Sequence, residues 1–262
     1  MAFRFGRNWR EYARFVTGAD VADACRDLER LTGPLAGRDF LDIGCGSGMS
    51  SVAALRLGAR RVVAFDLDPL SVEAGRFLLE RFAAGGPWAV RSGSVLDPAF
   101  LSSVGGADVV HSWGVLHHTG RMWRALECAA SAVRPGGALC VALYNRTPGS
   151  AMWRAVKRLG ASAPEPIRAA LAALLFLPRA AFRAAGGRNP LRDRRGMSLW
   201  HDAVDWIGGF PFEVASPDEV VAFLGARGFE CRTFIPARGT GCNEFAFVSD
   251  PGGRGGSGCP RA

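Results

Sequence analysis

The chain has 262 residues, 48% of them hydrophobic, which suits one substantial α/β core and excludes a disordered protein. Its formal net charge of +8 comes from 32 basic against 24 acidic residues, yet a single lysine, Lys157, stands among the basic ones. That arginine skew reads as codon composition, no aromatic-and-basic motif accompanies it, and no nucleic-acid partner is expected.

The seven cysteines include no CxxC pair, so neither a disulfide framework nor a zinc knuckle is indicated, and a reducing, cytoplasmic setting is expected. The first residues, MAFRFGRNWREYARF, carry charge throughout and lack the apolar core of a signal peptide. The longest apolar run, Ala169 to Pro178, is about half of the roughly 20 residues that a membrane span requires.

In chain order, residues 1–37 read as an N-terminal helical segment or lid that stops at Gly33-Pro34. Residues 38–145 alternate between short apolar runs, at 40–43, 61–65, 108–113 and 138–144, and segments with helical spacing. That alternation predicts βαβ units on a parallel sheet. Residues 40–48, FLDIGCGSG, end a strand at Asp42 and turn through Gly44, Gly46 and Gly48 into a helix near Met49. Glycines are needed where backbone approaches a ligand closely. The dinucleotide fingerprint GxGxxG would place glycine at 49, where methionine stands. The next strand ends in Asp66, and a third strand end is expected at 91–97.

The fourth strand runs into HSWGVLHHTG at 111–120, where Thr119 is the expected cap of a helix from Met122 to Val133, stopped by Pro135-Gly136-Gly137. Residues 146–210 form an arginine-rich helical insertion. Ser216-Pro217-Asp218-Glu219 opens a helix with a capping serine, a first-turn proline and two acids, and Gly228 closes it. Residues 211–249 thus supply a helix and two last strands, at 229–235 and 244–249, before a glycine-rich tail at 250–262 read as disordered.

The acid before GxGxG, the second acid at Asp66, the PGG and the late helix and strand together resemble class I S-adenosylmethionine-dependent methyltransferases. The resemblance covers about 39–145 and extends through SPDEVVAFLGARGFE. With FGRNW at 5–9 and GTGCNEF at 239–245, it is similar to a bacterial subgroup likened to ubiquinone-biosynthesis O-methyltransferases. The family implies a Rossmann-like, seven-stranded, mostly parallel sheet with helices on both faces and a helical insertion after the fifth strand. It implies S-adenosyl-L-methionine as cofactor, held by Asp42, Gly44, Cys45, Gly46, Gly48, Asp66, Leu67, Ser94, Val95 and Trp113. Asp66 would accept the ribose hydroxyls. Ser94 stands where many members carry an acid for the adenine amino group, and the nearest acid here is Asp97.

Ligands in such folds bind beyond the carboxyl ends of the strands, so Trp113 to His118 should lie at the reaction centre. His117 and His118 are the candidate catalytic residues, one as a general base and the other packed, or both shaping the cofactor loop. No metal site is expected, since no second cluster is spaced to complete one. The insertion at 146–210 is the expected acceptor lid, and Trp200, Asp202, Asp205, Glu213, Asn243 and Glu244 are candidate acceptor-binding residues. Within it, 165–185 reads as a lid packed on its own domain or as a weak peripheral contact with an anionic membrane. The expected activity is O-methylation of a small molecule, with N- or C-methylation as alternative. An NAD-binding oxidoreductase or a non-catalytic nucleotide-binding module is the reading from a different class. Neither the acceptor nor the oligomeric state is legible.

Overall fold

A computed structural model describes residues 5–187, 199–237 and 239–252. Two helices, α1 (Gly6–Ala13) and α2 (Gly18–Thr32), precede the sheet. The core then runs β1 (Asp39–Ile43), α3 (Met49–Arg56), β2 (Arg61–Asp66), α4 (Pro69–Phe82), β3 (Trp88–Ser92), α5 (Pro98–Val104), β4 (Ala107–Trp113), α6 (Met122–Ser131) and β5 (Val133–Tyr144). Three helices follow, α7 (Ser150–Ser162), α8 (Glu165–Ala185) and α9 (Leu199–Gly208), and then α10 (Pro217–Gly225), β6 (Phe229–Ile235) and β7 (Cys242–Ser249).

The seven strands lie in the order β3-β2-β1-β4-β5-β7-β6, with β7 antiparallel to both of its neighbours and the other pairs parallel. β1 is buried along its whole length and β4 nearly so, and each carries a short apolar stretch interrupted by buried polar residues, Asp42 in β1 and His111 and Ser112 in β4. β3, an edge strand with one buried residue, Val90, shows no such run. Apolar side chains cover both faces: Val110, Leu126, Leu139, Leu224, Phe245 and Phe247 pack with α6 and α10 on one, and Leu28, Phe40, Ala53, Val62 and Val109 with α2 and α3 on the other. The sequence order reverses between β1 and β4, and the crevice beyond their carboxyl ends is the ligand position of this architecture.

At the opposite strand ends, the Arg60 guanidinium donates to Asp39 at 2.9 Å and Arg134 approaches the same carboxylate at 2.8 Å. Arg60, with Arg134, holds the Asp39 carboxyl down to about 2.

Three local expectations change. The Pro135-Gly136-Gly137 stretch lies within β5, at a register shift in the β4–β5 ladder between Ala107 and Val109. Thr119 does not cap α6: its hydroxyl donates to the Leu116 carbonyl and accepts from the Arg121 amide, while the Glu213 carboxylate, 91 residues away, accepts from Met122 N at 3.0 Å. A distant acid thus meets one of the open amides of the first turn. Ser216 does cap α10, in a capping box with Glu219. The tail expected to be disordered lies, from 253 on, outside the described residues.

Candidate functional site

A cleft of about 1020 Å³ opens over the carboxyl ends of β1, β2 and β4. Its floor is the turn after β1. Gly44, Gly46 and Gly48 all have positive φ, at 69°, 53° and 80°. A Cβ on Gly44 would come within 2.4 Å of Val115 Cγ1, and one on Gly48 within 2.8 Å of the Gly75 backbone, so side chains there would break the turn against its own neighbours. The amides of Gly44 and Cys45 both donate to the Phe65 carbonyl, which binds the turn to the end of β2.

Asp66 lies at that end. Its Oδ2 accepts from Gly46 N at 3.0 Å and its Oδ1 from Asp68 N at 2.9 Å, which aims the carboxylate into the cleft with lone pairs to spare. Burial pushes its carboxyl up to about 6. Next to it Leu67 is 73% exposed, an apolar side chain left open on the cleft wall. Ser94 and Val95 line the same end, Ser94 Oγ accepting from Leu96 N. Cys45 lines the cleft as an inert thiol, its pKa raised well above the ordinary value by burial. Asp42 is buried beneath, where it accepts from Ser51 Oγ at 2.6 Å and meets His111 Nδ1 at 3.0 Å.

The chemistry of this end fits S-adenosylmethionine. Three carboxylates, Asp42, Asp66 and Asp68, stand near the glycine turn, and the one arginine among the described lining residues, Arg179, with no lysine beside it, belongs to α8 and approaches Asp202 of α9. A site for a pyrophosphate would call for the reverse. The residues present suit a ligand with ribose hydroxyls and a positive sulfonium.

The other end of the cleft is built from segments far apart in sequence. His117 and His118 lie in a single 3-10 turn at 116–118 after β4, and their roles separate there. His117 is fully buried against Tyr144, ring centroids 3.8 Å apart, and its Nδ1 accepts from Tyr144 N at 3.3 Å. His118 lines the cleft. Its Nδ1 lies 2.6 Å from the Pro211 carbonyl, an acceptor only, so Nδ1 carries the proton and Nε2 presents a lone pair. Burial, and next the Lys157 charge, push the His118 pKa down to about 3.

Lys157, the one lysine, is itself buried. Its ammonium sits 4.0 Å from the Trp206 ring centroid, 5.0 Å from Phe212 and 5.1 Å from Tyr144, and it donates to the Trp206 carbonyl at 2.5 Å. Burial lowers its pKa to about 7. Tyr144 and Trp206, whose rings it touches, are walls of the cleft.

α1 closes the site and joins its two ends. Gly6 N donates to Asp68 Oδ2, and a Cβ at Gly6 would collide with that carboxylate at 2.5 Å. Asn8 Nδ2 donates to Asp205 at 2.8 Å and to the His201 carbonyl at 3.0 Å on α9. Trp9 lies over Gly46. The FGRNW motif is therefore a clamp between the glycine-turn end of the cleft and α9.

Of the expected acceptor residues, Asp202 and Asp205 line the cleft, Asp202 approaching Arg179 at 3.6 Å and Asp205 raised well above the usual carboxylate range by burial. Trp200 packs instead on Phe176 between α8 and α9. Glu213 caps α6, and Asn243 ties Ala237 N to Asn145. Glu244 sits on β7 opposite Ala142, outside the cleft lining. Trp113 lines the cleft. His111, Tyr144 and Lys157 were not among the candidate site residues, and Phe5, the first residue of the FGRNW motif, also lines the cleft. The singularity of Lys157 was its one available signal. Among the described residues no three His, Cys, Asp or Glu side chains converge as a metal site would require, and no helix is long and apolar enough to cross a membrane.

The profile of a methyltransferase domain matches residues 12–187. The ubiquinone biosynthesis O-methyltransferase of Xanthomonas euvesicatoria is 37% identical over 116 residues, 44% of this chain and 47% of that protein. The tRNA U34 carboxymethyltransferase of Methylococcus capsulatus is 37% identical over 115 residues, 44% of this chain and 34% of that protein. The chain thus spans a third to a half of the length of these curated relatives. Among solved structures, the magnesium protoporphyrin IX methyltransferase of Synechocystis with bound S-adenosylhomocysteine shares the fold. Its TM-score is 0.55 at 17% identity, over 93% of this chain and 94% of that one.

Proposed function

Because the chain belongs to the methyltransferase-domain family, whose cofactor is S-adenosylmethionine, we propose that it methylates an oxygen of a small molecule, His118 taking the proton that the oxygen loses. The observation that carries this reading is the fixed tautomer of His118, with Nδ1–H spent on the Pro211 carbonyl and the Nε2 lone pair left for the cleft. When bound, the cofactor supplies a methyl group on a sulfonium that is already a good leaving group. Asp66 would hold its ribose, and Leu67, Ser94, Val95 and Trp113 would line its remaining length.

The protein's own contribution is placement, exclusion of water and one proton. α1 and the α9 lid enclose the acceptor end. Tyr144, Trp206 and Phe210 give it flat apolar walls, and Asp205 offers a hydrogen bond. With its pKa held near 3, His118 is unprotonated at neutral pH. So weak a base is still adequate, because a hydroxyl oxygen that gains a carbon substituent becomes far more acidic than before. The proton passes to Nε2 late, as the new bond forms.

A nitrogen acceptor is the second reading, favoured by the two carboxyls, Asp202 and Asp205, that line the same end. Turnover with cofactor carrying a carbon-13 methyl group, against hydroxylated and amino small molecules, separates the readings by the chemical shift of the product methyl. Label on nitrogen or carbon overturns the oxygen reading. Thermal stabilisation by NAD, and none by S-adenosylhomocysteine, overturns the cofactor.

A further inference from the structure

α8 is apolar on two sides. Its inner side, Leu171, Ala172, Leu175 and Phe176, packs on Ala203, Ile207 and Trp200 of α9. The outer side repeats at three- and four-residue steps through Ile167, Ala170, Leu174, Leu177 and Ala181, and is exposed throughout. Leu174 is 69% exposed, Leu177 60% and the adjoining Phe182 79%, and Leu159 at the end of α7 is 71% exposed. A helix of 21 residues is about 31 Å long, so this stripe is a surface far larger than a stray leucine would make.

The charge on these two helices is mostly basic, although Arg179 pairs with Asp202 of α9 and Arg154 donates to the Phe212 carbonyl. Arg154, Arg158, Arg168, Arg179 and Arg183 lie on the two helices, against one acid, Glu165, which accepts from Arg7 at 3.1 Å. We propose that the outer face of α8, with the end of α7, docks on an anionic lipid bilayer, its apolar stripe entering the headgroup boundary while the arginines meet lipid phosphates. A second copy of the chain is a poorer occupant, since a two-fold contact would set this basic face against itself. No acceptor chemistry enters the inference, which holds whichever atom is methylated. Its functional consequence comes through Arg179, which lies on α8 and also lines the acceptor end of the cleft, so docking sets that end beside the lipid surface.

The test is flotation of the full chain with vesicles of phosphatidylglycerol and phosphatidylcholine, compared with phosphatidylcholine alone. Capture is expected on the anionic vesicles and loss of it near ~0.5 M salt, where surface charges are screened. Leu174→Glu with Leu177→Glu should lower partitioning about tenfold or more, since each leucine loses an apolar burial site. Ile167→Ser with Phe182→Ser should act in the same direction at two other exposed positions, which guards against a folding defect in either pair. Circular dichroism of both pairs should match the parent. Absence of capture at low salt, equal capture by neutral vesicles, or unchanged partitioning of both folded pairs each overturns the proposal. Light scattering that shows a dimer dissolved by Leu174→Glu with Leu177→Glu, with no vesicle capture, assigns the face to a second copy and overturns it too.

Discussion

At the cofactor end of the cleft, neighbours in space are neighbours in sequence or lie one strand apart: the turn at 44–48, Asp66 with Leu67, and Ser94 with Val95. At the other end, beside α9, where we propose the acceptor binds, His118 is fixed by Pro211, 93 residues away, and Asp205 by Asn8, 197 residues away. The first end is shaped by backbone, with glycines, amides and strand termini setting it. The second is shaped by side chains that meet only after α1, β5 and α9 have docked.

The sharpest way to break that division is at His118. His118→Ala should lower turnover by roughly 10²–10⁴-fold if Nε2 takes the proton, with the cofactor dissociation constant nearly unchanged. Stopped turnover and calorimetry on the same variant check it, and a large loss of cofactor affinity would mean that the two ends are not separable at this residue.

Asp66→Ala probes the opposite end. Removing a carboxylate that accepts ribose hydroxyls should cost about 1.5–3 kcal/mol, roughly ten- to hundredfold in cofactor affinity, while the KM for acceptor stays put. Its pH dependence sharpens the same assignment. The folded pKa of Asp66 is raised from 3.8 to about 6, so the carboxylate is ionised above that value and protonated as pH falls through it. Cofactor affinity should then weaken below about pH 6 and lose this dependence in Asp66→Asn. For the free protein the sign is opposite: the folded state holds this proton more tightly than the unfolded chain, so the contribution of Asp66 to stability improves as pH falls from about 6 toward 3.8. Asp39, held down to about 2, forfeits its contribution only below that window.

The clamp residue Asn8 belongs to neither end alone. Asn8→Ala removes the bonds to Asp205 and the His201 carbonyl and should cost about 1 kcal/mol, near fivefold, in the KM for acceptor. An equal effect on cofactor affinity would show α1 coupling the two ends.

The smallest change is expected at Lys157. In Lys157→Met the chain keeps its length among Tyr144, Trp206 and Phe212 but loses a buried charge, so the melting temperature should hold or rise. Burial is the larger cause of the low His118 pKa, and the Lys157 charge that adds to it disappears, so the acidic limb of the rate profile should move partway toward neutral pH, with little change at its plateau.

Much of the fold was legible because buried parallel strands are predominantly apolar, and β1, β2, β4 and β5 each carry such a stretch, interrupted in β1 by Asp42 and in β4 by His111 and Ser112. β3 shows why that signal has limits: an edge strand with a single buried residue leaves no run to read. Ser216 was legible as a cap since its partner Glu219 lies three residues on, whereas Thr119 misled because the amide it was expected to cap is met by Glu213. Glu213 and Asn243 looked like acceptor ligands for a related reason. A polar residue in an apolar segment signals a hydrogen bond, and nothing in a linear chain says whether the partner is a ligand, a helix terminus or a neighbouring loop.

By itself, then, the sequence determined the sheet, the glycine turn and the two acids of the cofactor end, because local backbone geometry and strand burial act over a few residues. Tertiary structure alone decided which histidine faces the cleft, that the one lysine is buried within rings, and that the second apolar face of α8 stays open. Each of these is a property of distant segments packed together, and burial, tautomer and charge take their values only from what the fold places beside them.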